Sequence, residues 1–373
     1  MKAVTVIFVG NFPPPVHGVS LVNTAVLDRL KARGVQLTVL NTSPPFLSRS
    51  KRVRLARLPK VLKALGIVWW TGARRRGMLY MSVSGGYGQI YDCLILITAR
   101  LFGLRVVAHH HSYAYLHKKK ALAAACVRAA GPDSTHVVLC KDMGEKLQAR
   151  YPGATNVLAV SNAVFIRDEI ENRLPRTDVS VVAFMGNISE AKGIFYFLEV
   201  AARLLRHAPH SGVRALIAGP FEGPEIEQSV RRLLMTVPNV EYVGPKYGNE
   251  KAHFLGNVDV LLFPSVYQNE AEPLTILEAI SRGIPVIASG RGCIRELISR
   301  DNGLVIHDMA RFVEAATGQL LEWMSDPYRF RELSAKTRVH FNSHRAADEA
   351  SFEKLYHRIV GIRGDSFSRN AHE

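Results

Sequence analysis

Between residues 4 and 306 the sequence alternates short apolar runs with longer stretches of helical periodicity, and it runs through this scheme twice. "VTVIFVG" (4–10) leads into the loop "NFPPPVHGVS" and a helical pattern from about Ser20 to Ala32; "VQLTVLN", "MLYMSV", "RVVAHHH", "THVVLC" and "NVLAVSNAV" continue the series. The polar, proline-bearing stretch "FIRDEIENRLPRTD" (165–178) reads as a linker, after which "VSVVAFMGN" restarts the pattern and "VRALIAGP", "VEYVGP", "DVLLFPS", "IPVIAS" and "GLVI" follow. Parallel strands cannot be joined by tight hairpins and need a crossover, usually a helix, so this alternation specifies βαβ units and parallel sheets. At 373 residues the chain also exceeds the roughly 250–300 at which single cores stop growing. The expected fold class is therefore α/β, with two doubly wound domains in tandem. The boundaries read 1–168 and 178–345, with 346–373 a C-terminal helix that packs back on the first domain and ends in a frayed tail.

Charge divides the halves. Residues 1–175 hold 25 Lys and Arg against 8 Asp and Glu, and residues 176–373 hold 23 against 24, so the whole net charge of +16 resides in the first half. A field of that sign attracts a polyanion: a lipid surface, a nucleic acid or a phosphorylated substrate. The four cysteines, Cys93, Cys126, Cys140 and Cys293, form no CxxC, which argues against a zinc site or a disulfide framework and fits a reducing compartment. "AVTVIFVG" is too short, and too soon closed by "NFPPP", for a signal peptide, and no run reaches the roughly 18 apolar residues of a membrane span. A soluble cytoplasmic protein is expected.

In open α/β sheets ligands sit beyond the carboxyl ends of the strands, so the loops there carry the chemistry. Gly18, with Ser20 as helix N-cap, could let backbone N–H groups approach an anion; a plain βα turn is the alternative, and the absence of GxGxxG counts against a nicotinamide fingerprint. In "RVVAHHHSY" alternation puts His109 and His111 on one face and His110 on the other, with His111 at the mouth. Adjacent strand residues cannot all converge on one ion, which favours a polar contact to substrate over a metal. In "FMGNISEAKGI" the strand ends at Gly186, and Lys192 precedes a helix near Gly193, where a cation is unfavourable unless it meets an anion. "QNEAEPLTILEA" (268–279) sets Glu270, Glu272 and Glu278 around an apolar run, Leu274–Leu277, that reads as buried, with Glu278 two turns into the helix. Glu272 suits a first helical turn without any function. Paired carboxylates serve glycosidase chemistry, or they grip sugar and ribose hydroxyls.

Taken together and in this order, these loops resemble the family 4 retaining glycosyltransferases of the GT-B fold. "EAEPLTILEAISRGIPVIAS" is similar to that family's Glu-x7-Glu signature with its following Gly-x-Pro-Val-Ile-Ala. "NVDVLLFPS" resembles the strand before it, "GNISEAKG" the phosphate-contacting loop, "HHHS" the histidine ending an amino-domain strand, "VSNAV" the hinge, and "GCIRELI" with "DNGLVI" the stretch after the signature. "NFPPPVHGVS" resembles members that build bacterial surface polysaccharides. Three positions depart from the pattern: Asn187 stands where an Arg is usual, Ala163 replaces the hinge Gly, and Glu272-Pro273 replaces Phe-Gly.

The resemblance implies two Rossmann-like domains facing a central cleft, with acceptor binding in the first and nucleotide-sugar binding in the second. It implies a retaining hexosyltransferase that moves a sugar from a nucleoside-diphosphate sugar to a membrane-associated, lipid-linked glycan acceptor in surface polysaccharide biosynthesis. Glu270 then approaches the donor sugar, Glu278 holds the ribose, and Lys192 with a helix dipole neutralises the diphosphate. Glu270, His111 and Lys192 are the implied catalytic residues. Gly18, Gly186, Asn187, Lys192, Glu270, Pro273, Leu274, Thr275 and Glu278 are the implied donor contacts. No Asp-x-Asp occurs, which fits catalysis without a metal or other cofactor. The expected partners are the nucleotide-sugar donor, the acceptor and an anionic membrane surface, with no nucleic acid, and the expected location is the inner face of the cell membrane. The rival readings are a non-catalytic basic membrane- or nucleic-acid-binding protein on a GT-B scaffold, and a GT-B epimerase or phosphorylase. One segment, 47–70, also has basic and apolar sides on a helical wheel and ends in Trp69-Trp70, residues that suit a membrane interface; a core-packed amphipathic helix is the plainer alternative.

Overall fold

The computed structural model describes residues 5–44, 56–74, 77–166 and 175–361. The start of the basic segment, including Arg49 and Arg52, most of the 165–178 linker, and the tail beyond Gly361 lie outside the described residues. The chain divides into two compact units, Met1–Phe165 with Ala346–Glu373, and Ile166–Arg345.

The first unit is built on six parallel strands, β1 (Thr5–Gly10), β2 (Gln36–Asn41), β3 (Met78–Val83), β4 (Arg105–His110), β5 (Thr135–Val138) and β6 (Asn156–Ala159), in the order β2-β1-β3-β4-β5-β6. Its helices include α1 (Gly18–Ala32), α2 (Leu58–Ala73) and α3 (Gln89–Leu101). Val61, Ala64 and Val68 of α2 and Ile95, Leu96 and Ala99 of α3 pack on Val9, Leu79, Met81 and Val106 of the sheet. Each valine, leucine, isoleucine or methionine among them, once fully buried, contributes about 1.5–3 kcal/mol.

The second unit repeats the scheme with β7 (Val181–Met185), β8 (Arg214–Ala218), β9 (Val240–Tyr242), β10 (Val260–Phe263), β11 (Val286–Ser289) and β12 (Gly303–Ile306), in the order β12-β11-β10-β7-β8-β9. The chain starts in the middle at β7, moves outward to β9, then crosses back to β10 and moves the other way. That reversal makes the ends of β7 and β10 the topological switch point, where diverging loops leave a crevice for ligands. Phe197, Leu198 and Ala201 of the helix Ile194–His207 pack on Val182, Phe184, Ile217 and Leu262 to seal one side of this sheet.

A 34-residue helix, Pro327–Val360, begins in the second unit and ends in the first. In the first unit its Phe352 is fully buried against Phe165 and lies under the Arg29 guanidinium, while Glu349 and Glu353 pair with Arg29 and Arg33.

Candidate active site

Two of the singled-out residues meet at the β7/β10 switch point. The Lys192 ammonium lies 2.6 Å from Glu270 Oε2, and the Ser265 hydroxyl donates to the same oxygen at 2.8 Å. Ser289 in turn donates to the Ser265 carbonyl at 2.5 Å, tying the loop after β10 to the end of β11. The Lys192 ammonium also sits 5.2 Å from the Tyr267 ring centre and 5.7 Å from that of Phe263. The pair is only partly shielded: the side chains retain 26% and 10% of their exposure. It is a charge that an incoming anion can reach.

Backbone contacts fix this geometry. Gly193 has φ +81°, and a Cβ there would stand 2.0 Å from the Pro264 carbonyl oxygen, so only glycine lets the loop carrying Lys192 press against the loop carrying Glu270. Gly292, at φ +50°, does the same from the other side, since its Cβ would stand 2.3 Å from the Glu270 carbonyl oxygen. Val266 N–H donates to the Ala191 carbonyl and Cys293 N–H to the Ala271 carbonyl, both at 2.9 Å. Gly186 closes β7 with its N–H bonded to Ala218, and Asn187 beside it is exposed.

The signature helix is shorter than the sequence implies. It spans Leu274–Ile280, with Pro273 in extended conformation as its N-cap, so Glu278 lies one turn in rather than two. The helical period also splits the apolar run expected to be buried. Ile276 and Leu277 are fully buried, whereas Leu274 and Thr275, with Glu278, are only partly so. Glu278 does not join the Lys192–Glu270 pair; it forms an ion pair with Lys251, of the helix Gly248–Gly256. Glu272 is buried just before Pro273, the N-cap of Leu274–Ile280.

In the first unit His111 follows β4 directly. Its ring stands 3.9 Å from that of His109 at an interplanar angle of 43°. Burial, with a smaller contribution from His17 nearby, pushes His111 down to about 3, so it is neutral at physiological pH, and its Nε2 is buried without a hydrogen-bond partner. His109 Nδ1 lies 2.6 Å from the Tyr80 hydroxyl. His110 points the other way, 3.0 Å from His136, which reaches Ser134. The helix α1 is capped differently from expectation. His17, not Ser20, is the N-cap: its Nδ1 accepts the Ser20 N–H, and the Ser20 hydroxyl oxygen accepts the His17 N–H, a reciprocal box that satisfies two end donors. Gly18 has ordinary φ and open space where a Cβ would stand, so packing within the fold does not require glycine there.

Sequence reasoning missed Ser265, Ser289 and Lys251. The two serines had a signal, for each ends a quoted strand, "LLFPS" and "PVIAS", at the edge where ligands bind. Lys251 lies in "GNEKAHF", whose spacing singles out nothing. Among the described residues, no group of three or more His, Cys, Asp or Glu side chains is placed to hold a metal ion, and no helix is long and apolar enough to cross a membrane.

Residues 179–322 match the family model described as "Glycosyl transferases group 1". A D-inositol 3-phosphate glycosyltransferase of Corynebacterium aurimucosum is 29% identical over 155 residues, 40% of this chain and 36% of that protein. The putative colanic acid biosynthesis glycosyltransferase WcaL of Escherichia coli is 27% identical over 139 residues, 35% of this chain and 32% of that protein. The matched stretch thus spans about a third of the length of these relatives. Over the whole fold, Anabaena Alr3699/HepE, solved in complex with UDP, superposes with a TM-score of 0.68 at 13% identity, covering 96% of this chain and 100% of that one. Sucrose-phosphate synthase from Thermosynechococcus elongatus gives 0.69 at 15% identity, covering 96% and 100%. The chain has the fold of these GT-B structures and resembles the group 1 glycosyl transferases, whose family model its second unit matches.

Proposed function

We propose that the protein is a retaining, metal-independent glycosyltransferase that moves a sugar from a nucleoside-diphosphate sugar to a membrane-associated, lipid-linked glycan acceptor in surface polysaccharide assembly. The observation that carries this reading is the Lys192–Glu270 pair, seated on Ser265 at the switch point. A nucleoside diphosphate arriving there meets a reachable cation beside a carboxylate able to accept a sugar hydroxyl. Two facts about other proteins support the donor class and the pathway: HepE has been solved with UDP-glucose, and the E. coli relative is a putative colanic acid biosynthesis glycosyltransferase.

In this reading the diphosphate draws Lys192 away from Glu270, and the freed carboxylate turns to the donor sugar. As the bond from the sugar to the diphosphate breaks, negative charge grows on the phosphate oxygens, and a preplaced ammonium in a partly dehydrated pocket stabilises it. Glu278 accepts the ribose hydroxyls, with Lys251 holding its carboxylate in place. Gly186, Asn187 and the Pro273–Thr275 backbone border the phosphates. His111, neutral and with Nε2 unpartnered, suits a hydrogen bond to a sugar hydroxyl. Gly18 leaves room for a ligand to approach the start of α1. The enzyme acts in the cytoplasm at the inner face of the membrane. A screen of UDP-, GDP- and ADP-sugars for nucleoside-diphosphate release, with lipid-linked acceptors present, tests the proposal. Acceptor-stimulated release from at least one donor, with the product in the donor's anomeric configuration, is the expected result; no turnover of any donor would refute it.

A further inference from the structure

The helices α2 and α3 lie side by side on the first sheet, with Arg57 near the Tyr91 ring at their starts and Trp69 near Phe102 at their ends. The sides turned away from the sheet are apolar. On α3, Ile90, Leu94, Ile97 and Leu101 recur at i, i+4, i+7 and i+11, a single stripe opposite the buried Ile95, Leu96 and Ala99, and Leu101 is 75% exposed. On α2, Trp69 and Trp70 are 50% and 52% exposed. A soluble protein gains nothing by leaving two tryptophans and a full helical stripe in water, and an exposed apolar patch of this kind marks an interaction surface.

Its surroundings identify the occupant. Between Arg29 and Pro132 the sequence has one acidic residue, Asp92, and it is buried in the first turn of α3. Lys63 is exposed on α2, and Arg74, at its C-terminal end, stacks its guanidinium on Trp70 at 3.8 Å. A second copy of the chain would set two such basic fields face to face, which is repulsive. An anionic bilayer offers hydrocarbon to the stripe, headgroup phosphates to the rim, and the interfacial depth that tryptophan favours. We infer that the outer faces of α2 and α3 form a docking surface that inserts Ile90, Leu94, Ile97, Leu101, Trp69 and Trp70 into an anionic lipid monolayer. This deepens the reading of a membrane-associated acceptor, but it stands on a surface distinct from the Lys192–Glu270 site.

The chain reports on itself, because its third tryptophan, Trp323, is buried in the second unit. The full chain is mixed with phosphatidylcholine vesicles with or without phosphatidylglycerol, and both cosedimentation and tryptophan emission are followed. Expected are sedimentation and a blue shift with phosphatidylglycerol vesicles only, at least tenfold weaker in Leu94→Ser/Ile97→Ser and in Lys63→Gln/Arg74→Gln, with nucleoside-diphosphate binding within twofold of wild type. Wild-type protein that stays in the supernatant overturns the inference. So does an apolar double variant that sediments like wild type, which would mean adsorption by charge alone, or a lipid-free dimer that this variant converts to monomer by light scattering. Vesicle binding that persists while no donor is turned over would refute the proposed transfer reaction and leave the surface assignment standing.

Discussion

Replacing Lys192 with alanine separates a phosphate contact from a structural ion pair. In the free protein Lys192 is held by Glu270 at 2.6 Å, so a diphosphate must compete for it. Two unit charges about 4 Å apart in a partly shielded site interact by at most roughly 4 kcal/mol. With a quarter of the lysine side chain still in water the net falls to the range of a hydrogen bond to a charged group, about 1.5–3 kcal/mol. Each 1.4 kcal/mol is a factor of ten, so Lys192→Ala should weaken nucleoside-diphosphate binding about 10- to 150-fold while nucleoside binding changes less than twofold. Glu270→Gln should act in the opposite sense on the same ligand. It releases Lys192 from its competitor, so free diphosphate binds at least as tightly as to wild type, whereas turnover at saturating donor drops by two orders of magnitude or more, a loss confined to the reacting sugar. Calorimetric titration of both variants with nucleoside and nucleoside diphosphate, plus single-turnover rates, decides the matter. Equal losses for the two ligands in Lys192→Ala, or weaker diphosphate binding in Glu270→Gln, would refute the exchange of partners.

Glu278→Ala should cost about 1.5–3 kcal/mol of affinity for nucleoside and nucleoside diphosphate alike, because the ribose is common to both; unchanged titrations would remove the ribose assignment. Transfer should persist in excess chelator, and a complete loss reversed by added metal would contradict a lysine-based leaving-group mechanism. Burial holds His111 at about 3 and His136 at about 4, both well below the 6.5 of an exposed histidine. The unfolded chain therefore takes up protons that the folded one refuses. The histidines cost no stability above pH 6.5, and below it each costs about 1.4 kcal/mol per pH unit, down to about pH 4 for His136 and about pH 3 for His111. Asp92, pushed up to about 6 by burial, opposes this with a single carboxyl. The thermal stability of the first unit, followed by hydrogen exchange of the β3 and β4 amides, should drop steeply between pH 6.5 and 5; a flat profile there would mean that the histidines are not buried in neutral form.

The fold class was legible because every buried parallel strand leaves the same trace, a short apolar run between helical patterns; the reversal at β7 and β10 was not, because the order of runs along the chain does not set their order in the sheet. Glu270 and Lys192 stood out because acids and a helix-start lysine are anomalous in loops after strands. Ser265 and Ser289 did not, since a serine after a strand is unremarkable until the loop bends its hydroxyl onto a carboxylate. Lys251 is invisible for a different reason: its partner is 27 residues away, brought near by a crossover whose exact register no local pattern encodes. Ser20 was misplaced by three residues because histidine is an uncommon cap, and the helix extends back to use it. The Ile90–Leu101 stripe was readable in principle. It was overlooked because a strongly apolar helix suggests burial on all sides, and only packing shows which side stays outside.

The helix Pro327–Val360 has a consequence for how the chain is made. The first unit receives its last piece, with Phe352, Leu355 and Ile359 fully or almost fully buried, only after the intervening Ile166–Arg345 unit has been synthesised. At roughly 5–20 residues per second, the first unit waits on the order of ten to forty seconds with Phe165 uncovered and Arg29 and Arg33 without their carboxylates. The second unit, contiguous in sequence, can close first, so on the ribosome the order of completion is the reverse of the order of synthesis.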